Sequence, residues 1–515
     1  MASTMSFTEN TIPSDEGSHF METILKKEPI NKAFEELEKL FANRATRSLL
    51  HRMAYSRDWS PRESKAANLP DIVVIPKTTE EMAQIAQVAY KYEIPIVPYG
   101  GGTGMGGGVA AWKGGILVET KGMNQVFEID EKNFTVTVQA GITIWELNEV
   151  LAQRGLWLPH QPESKRSCTI GASIGCDNDS TFGLRYGKIK DCLTNAVIVT
   201  GRAEAVRVGQ RKCSFSSTGY KLLDLLVGSE GTLGVITEAT LRVIPLPKLR
   251  QVQGFFFRSL NESAKALERL LSAGLTIESA HLNCRHRLHF YTHTYREKFG
   301  REPNVPEWVE AILFLSFAGD EEVVHFNVNK ATKILVEEFH SQQTQEREMV
   351  EGWWDSKHRL EFIPFKQKWP DSQRQKKFGS ADIGLPIGRL DEGYRQYIEI
   401  AKKWDQEVLG MTVYNESPNK ATASISFAVF VDDSNTESVN RFYQYVREMS
   451  EMAVQLEGTM SSYIGDGDRL GGFNQLEHGV SFEYMRRIKE AFDPKNIMNP
   501  GKKFESHWIK KEAYE

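Results

Sequence analysis

Apolar positions along this chain change their period several times, and the changes mark its elements. After a polar lead, residues 32–41 carry helical spacing and 52–61 read as irregular. From Pro70 the texture changes. Ile72, Val73, Val74 and Ile75 make a short continuous apolar run, the mark of a buried strand. Thr78 and Glu81 have capping-box spacing at a helix start, and Met82, Ile85, Ala89 and Tyr92 follow on one face. Residues 94–97 and 116–118 read as strands, 135–138 alternate with period two, and 144–154 are helical again. Further on, 311–315 and 425–431 read as strands and 331–339 as a helix. The order is α/β or α+β, not a bundle or a sandwich.

Between the strands at 94–97 and 116–118 lies a loop in which six of the residues from Gly100 to Gly107 are glycine. Such a loop turns sharply and brings several backbone N–H groups to one anion, so a phosphate or pyrophosphate is its natural guest. A flexible surface turn is the plainer alternative, but apolar runs bound the loop on both sides. A nicotinamide fingerprint would need the glycines to open a helix, and here they continue through Gly108 to Gly114 and Gly115. The Gly-Lys-Ser/Thr ending of a P-loop is also missing.

Composition adds limits. A chain of 515 residues accommodates two or three domains. A formal net charge of -5 leaves no basic surplus for nucleic acid. No apolar run approaches the roughly 20 residues of a membrane helix. Five cysteines without metal-ligand spacing, and a start lacking the features of a transit or signal peptide, lead to the expectation of an intracellular, cytoplasmic protein.

Two more small-residue segments follow the loop: Thr169-Ile170-Gly171-Ala172 leading to Arg185-Tyr186-Gly187, and Gly228-Ser229-Glu230-Gly231-Thr232-Leu233-Gly234-Val235-Ile236-Thr237. With Pro98-Tyr99-Gly100-Gly101-Gly102-Thr103 and the C-terminal Asp493-Pro494-Lys495-Asn496-Ile497-Met498-Asn499-Pro500-Gly501-Lys502, this order resembles the vanillyl-alcohol oxidase/p-cresol methylhydroxylase superfamily. The nearest branch holds D-lactate dehydrogenases and the glycolate oxidase flavin subunit. The likeness spans about 70–250 and 455–505. It implies an α+β fold, a two-part FAD-binding domain of the p-cresol methylhydroxylase type with an α+β cap built on an antiparallel sheet. The implied division is a helical extension at 1–65, the FAD-binding domain at 66–247, the cap at 248–460 and a returning segment at 461–515.

The resemblance also implies FAD as cofactor and assigns residues to it. Pro98, Gly100, Gly101, Gly102, Thr103 and Gly104 would wrap the pyrophosphate. Pro162, Thr169, Gly171 and Ala172 would line the ribityl and isoalloxazine side. Gly231, Gly234 and Ile236 would hold the adenine end or the dimethylbenzene edge, and Asn496 and Lys502 would close over the flavin. His160 lies near the cofactor path, although relatives in this branch hold FAD without a covalent bond.

The chain then departs from its relatives. The hydroxy-acid branch binds a divalent metal through cap histidines and a Gly-Glu-His-Gly glutamate, beside a histidine base. No histidine lies between His358 and His478, and the glutamate and base positions hold Tyr463 and Ile464. Glu477-His478-Gly479 matches a variable loop instead. No metal is therefore expected. In the phenol-oxidising branch a tyrosine lies near the place of Tyr463, and an acid follows the Thr-Ile-Gly motif, where Asp179 stands. Asp177 or Asp179 can equally serve a turn. The expected catalytic set is Tyr463, Asp179 and Arg359, the last (or Lys357) matching a cap arginine for substrate acids. His286, His289 and His293 share one helical face and read as a wall over the pocket before a metal site. The expected activity is passage of a hydride from a small alcohol, 2-hydroxy acid or phenol to flavin N5. A 4-alkylphenol or vanillyl-alcohol type oxidase and an alkyl-dihydroxyacetonephosphate synthase-like transferase are the alternatives. Besides the small-molecule substrate, the electron acceptor and a homodimer are left open.

Overall fold

The computed structural model describes residues 28–62, 68–213, 215–356, 377–414 and 422–505. Strands β1 (Ala45–Thr46), β2 (Ile72–Val74), β3 (Ile96–Tyr99) and β4 (Ile116–Glu119) form a first sheet in the order β1-β2-β4-β3. The last three run parallel, which requires a crossover, and helix Thr79–Tyr92 supplies it. Thr78 caps that helix by accepting from Glu81 N, but the Glu81 carboxylate turns to Lys77 N and Arg44, so the capping spacing is used on one side only. Glu93 ends the helix in the left-handed region (φ 54) and Ile94 still donates to Ala89 O. The strand expected at 94–97 therefore begins two residues late. Helix Glu28–Phe41 buries its apolar stripe in the same core. Residues 52–54, read as irregular, close a short helix, Leu49–Ala54.

The second sheet is antiparallel, built from β5 (Val126–Asp130), β6 (Thr135–Gln139), β8 (Leu193–Thr200), β9 (Ala205–Gly209) and β10 (Gly234–Arg242) in the order β5-β6-β10-β8-β9. β7 (Leu156–Trp157) and β11 (Ile244–Pro245) pair separately. Helix Ile144–Ala152 opens with a reciprocal Thr143–Glu146 capping box and packs its leucines into this core.

The third sheet has seven strands: β12 (Leu249–Phe257), β13 (Ser279–Cys284), β14 (Ala311–Gly319), β15 (Gln342–Gln343), β16 (Lys377–Pro386), β17 (Glu407–Tyr414) and β18 (Thr422–Val431). Every pairing is antiparallel, in the order β15-β12-β14-β13-β17-β18-β16. Alternation sorts its two faces. Ala280, Leu282, Leu313, Met411, Val413, Ile425, Phe427, Ala381 and Ile383 face the largest core, under helices Leu260–Ser272, Leu390–Lys403 and Thr436–Gln455. Their neighbours in sequence, including His281, Asn283, Thr412, Tyr414, Ser424, Ser426, Ser380 and Asp382, face the other way and are buried as well. The helix expected at 331–339 is the end of Glu321–Lys333, continued by one π-helical turn, Ile334–Glu338.

After the helix Thr436–Gln455 the chain returns to the first two sheets. Asp493 accepts from Ile497 N and Met498 N, turning the chain so that Ile497 and Asn499 bracket Ile96 of β3 (Ile96 N to Ile497 O 2.7 Å, Asn499 N to Ile96 O 2.8 Å). No helix among the described residues is long and apolar enough to cross a membrane.

Candidate active site

The glycine loop leaves β3 and runs across the start of helix Ile170–Cys176. A Cβ at Gly100 would press on Thr169 Oγ1 at 2.7 Å and Ala172 Cβ at 2.9 Å, so the first and second motifs touch. Thr169 caps that helix through Ala172 N, and Gly171 N donates to Ala140 O at the end of β6. Gly231 sits directly on Pro98 with φ +75, which brings the third motif to the same loop. A side chain there would meet both a disfavoured backbone angle and the proline ring. Among the described residues, none of the N–H groups from Gly100 to Gly108 has an acceptor. A run of uncommitted, closely spaced N–H groups fits a diphosphate.

A second loop, 461–468, closes against the first. Asp468 N donates to Gly106 O at 3.1 Å, and the Asp468 carboxylate takes two hydrogen bonds from the buried Arg62 guanidinium. Gly467 N donates to the Glu230 carboxylate. Burial pushes Glu230 up to about 7; the Lys503 ammonium beside it, itself bonded to Asp466, works the other way. Lys188 Nζ donates to Asp177 O (3.0 Å) and to Ser462 O, tying this loop to the end of helix Ile170–Cys176. From the returning chain, Lys502 Nζ donates to Ala110 O at 3.0 Å and lies 3.6 Å from Asp468. Asn496 is exposed at a turn (φ 50), and Asn499 reaches the loop in its stead, donating to Gly108 O and Glu230 O. Asn499 lies in the Ile497-Met498-Asn499-Pro500 stretch, three residues past Asn496.

Tyr463 projects from this loop to the polar face of the third sheet. Its hydroxyl makes a short hydrogen bond to Asp382 Oδ1, which also accepts from Ser380 Oγ at 2.9 Å. Asp382 Oδ2 has no hydrogen-bond partner among the described residues, although the residue is only 1% exposed. Burial raises the Asp382 carboxyl above its ordinary range, against the pull of Arg469. The Tyr463 hydroxyl is held far above its usual range by burial, then by Asp382, Tyr414 and Asp179. Tyr414 packs edge-on to Tyr463 with ring centres 5.8 Å apart, and its hydroxyl lies 3.5 Å from Glu163 Oε1. His281, Trp353 and Phe314 continue the aromatic wall. Cross-strand pairing sets Asn283, Thr412, Ser426 and Asp382 in one row. An alternation of polar and apolar residues from Ser380 to Leu385 was the sequence signal that marks Asp382 as facing this side.

The other expected residues are distributed as follows. Pro162 is buried next to this wall's Glu163, Gly234 starts β10, and Ile236 lies within β10 in the second core. Asp177 caps helix Ile170–Cys176 in a left-handed conformation with Lys188 beside it. His160 is buried, with Nε2 facing Ser173 Oγ and Asn178 Oδ1, and burial lowers it to about 3. Lys357 and Arg359 lie outside the described residues. His286 stands on helix Arg285–Phe299 with Tyr394 Oη 3.3 Å from Nδ1. Glu477 accepts from Met460 N, a structural contact. No group of three potential metal ligands occurs among the described residues.

Residues 70–209 match the FAD binding domain family, and residues 246–503 match the C-terminal domain of the FAD linked oxidases. The chain is 28% identical over 455 residues to glycolate oxidase subunit GlcD of Bacillus subtilis, covering 88% of this chain and 92% of that protein. It is 27% identical over 447 residues to a mitochondrial D-lactate dehydrogenase (cytochrome) of Arabidopsis thaliana, covering 86% and 75%. A structure of p-cresol methylhydroxylase with substrate bound superposes with a TM-score of 0.77 at 17% identity, over 94% of this chain and 98% of that one. The uncommitted N–H groups of the glycine loop fit the diphosphate of FAD, and the α+β fold with its antiparallel cap sheet is that of the p-cresol methylhydroxylase type. With matches to both halves of the flavin enzyme architecture, the chain belongs to the FAD-linked oxidases and is an FAD-dependent oxidase or dehydrogenase.

Proposed function

We propose that this FAD-linked enzyme dehydrogenates a small hydroxylated substrate (an alcohol, 2-hydroxy acid or phenol) at the face where Tyr463 meets Asp382. Residues 66–247 with 461–515 would hold the cofactor and 248–460 the substrate. The observation that carries the reading is the Tyr463–Asp382 hydrogen bond on the buried polar side of the cap sheet. Bound FAD supplies a hydride acceptor at flavin N5. The chain's own residues handle the proton. The Tyr463 oxygen accepts the substrate hydroxyl proton while its own proton passes along the existing hydrogen bond to Asp382. The substrate thus loses a hydride from carbon and a proton from oxygen, leaving a carbonyl or, from an alkylphenol, a quinone methide. Burial makes Asp382 a stronger base than an ordinary carboxylate, as a proton acceptor requires. Burial, with Asp382, Tyr414 and Asp179 adding to it, keeps Tyr463 protonated between turnovers.

Similarity to proteins named as glycolate oxidase and D-lactate dehydrogenase supports oxidation at a CH–OH group. The edge-on Tyr414–Tyr463 pair supports the phenol alternative. Anaerobic mixing of the FAD-loaded enzyme with alcohols, hydroxy acids and 4-alkylphenols tests the reading. Bleaching of the flavin absorbance by any of these classes is expected. A flavin left oxidised by all of them would favour a transferase without net redox change and overturn it.

A further inference from the structure

Resting on the proposed role of the Tyr463–Asp382 pair, we infer that Asn283 is a specificity-determining residue: its side-chain amide donates to a second oxygen of the substrate, remote from the hydroxyl that is oxidised. The substrate is then an elongated hydroxy compound held at both ends. Asn283 stands at the opposite end from Asp382 of the row that crosses β13, β17, β18 and β16. It is fully buried, and its Oδ1 accepts from Thr412 Oγ1 at 2.9 Å, while Nδ2 has no hydrogen-bond partner among the described residues. Its neighbour on the other side, Ile312 of β14, belongs to an apolar cluster and offers nothing to an amide. A buried amide donor left open in this way calls for an acceptor that arrives with a ligand.

The middle of the row is already satisfied. Thr412 is spent on Asn283, and Ser426 Oγ lies 2.9 Å from Ser380 Oγ. Within the row the open atoms are Asn283 Nδ2 and Asp382 Oδ2, one at each end. Alongside runs a line of rings on the same face. His281 and Tyr414 pair in register with ring centres 4.9 Å apart, and Tyr414 packs on Tyr463. The rings join the Asn283 end to the oxidising end and give an apolar side to the carbon chain that lies between. Three strand spacings of about 4.8 Å separate the ends, and a hydrogen bond of about 2.9 Å at each leaves roughly 8–9 Å between the two substrate oxygens. An extended chain of about six carbons spans that distance.

Isosteric pairs that exchange the remote ether oxygen for a methylene test this, one pair for each substrate class: 6-methoxyhexan-1-ol against octan-1-ol, 2-hydroxy-7-methoxyheptanoate against 2-hydroxynonanoate, and 4-(2-methoxyethyl)phenol against 4-butylphenol. Each is mixed anaerobically with the FAD-loaded enzyme, and flavin reduction is followed by stopped flow. In the class that the enzyme oxidises, the ether should reduce the flavin with an efficiency (kred/Kd) at least about tenfold above its partner's. Asn283→Leu should bring that ratio close to unity, the ether losing more than the hydrocarbon. Thr412→Val, which keeps the amide but frees it to turn, should narrow the ratio severalfold. FAD content and Tm, measured alongside, confirm folded protein. A parent ratio near unity, or a ratio that neither variant moves, overturns the inference and leaves the oxidoreductase reading standing. Reduction by short alcohols, hydroxy acids or phenols with none by the longer pairs does the same. Loss of FAD from folded Asn283→Leu assigns the amide to the flavin and likewise overturns the inference. A flavin that no compound of the three classes bleaches, short or long, overturns that reading, and this inference with it.

Discussion

Tyr463 and Asp382 lie 81 residues apart in the chain and meet through one hydrogen bond, so each can be removed separately. Tyr463→Phe deletes the relay oxygen and keeps the ring against Tyr414. Stopped-flow flavin reduction should slow about a hundredfold while substrate Kd changes less than about threefold. An unchanged reductive rate would remove Tyr463 from the chemistry. Asp382 must be deprotonated to act, and burial moves its titration above the usual carboxylate range. The reductive rate should therefore climb with pH through a limb lying above the ordinary carboxylate range, and Asp382→Asn should abolish both the limb and most of the rate. The resemblance puts Ile464 at the position of the base histidine, where its side chain offers a metal nothing, so EDTA should leave flavin reduction unchanged; loss of rate restored by zinc or manganese would contradict this. Tyr463 was legible because it breaks a motif. Asp382 was harder: only the alternation around it signals its direction, and its partner comes from a distant segment that no local pattern identifies. Asn499 was missed for a similar reason, since two asparagines three residues apart are equivalent until the turn at Asn496 is built.

At the level of elements, the glycine loop was legible as a diphosphate cradle because its composition admits few other uses. The loop at 461–468 was legible only as a place of departure. Its four anchors, Arg62, Lys188, Glu230 and Lys503, are scattered along the sequence and converge only in space. Strand ends and the π-helical turn at Ile334–Glu338 were not legible, because hydrogen-bond closure within a turn or two decides them. Gly231→Ala tests how tightly the third motif is pressed on Pro98. With a left-handed backbone and a proline ring in the way, it should destabilise the protein by about 2–4 kcal/mol and weaken FAD retention, read as a lower Tm and lost flavin absorbance after gel filtration. A Tm within a degree of the parent would show that the contact yields easily.

Over the whole molecule, three cores are joined at buried charges, and these make stability depend on pH. Glu230 is ordinarily near 4.5 and is pushed up to about 7 in the fold. Between those values the folded chain holds a proton that the unfolded chain has released, so stability falls as pH rises from about 4.5 to about 7. Asp466 is lowered and acts oppositely, at more acidic pH. Glu230→Gln keeps an acceptor for Gly467 N and removes the titration, so thermal melts of the variant should lose that decline; a slope equal to the parent's would assign it to other groups. The α+β class and the returning C-terminal segment were legible from motif order. The seven-strand order of the cap sheet was not, because antiparallel strands of similar length can be paired in many orders.

The pairing of residues 497–499 with Ile96 has a consequence for biosynthesis. The first sheet borrows its outermost backbone partner from near residue 500, and Asn499 and Lys502 hold the carbonyls of the glycine loop. During translation, β3 and its loop emerge some 400 residues before the segment that completes them. The nascent amino-terminal half must wait with its flavin cradle unfinished while the entire cap is made and folded. If the glycine loop holds the flavin as proposed, loading is a late event in the life of the polypeptide, and a chain truncated before this segment would lack the contacts of Asn499 and Lys502 to that loop.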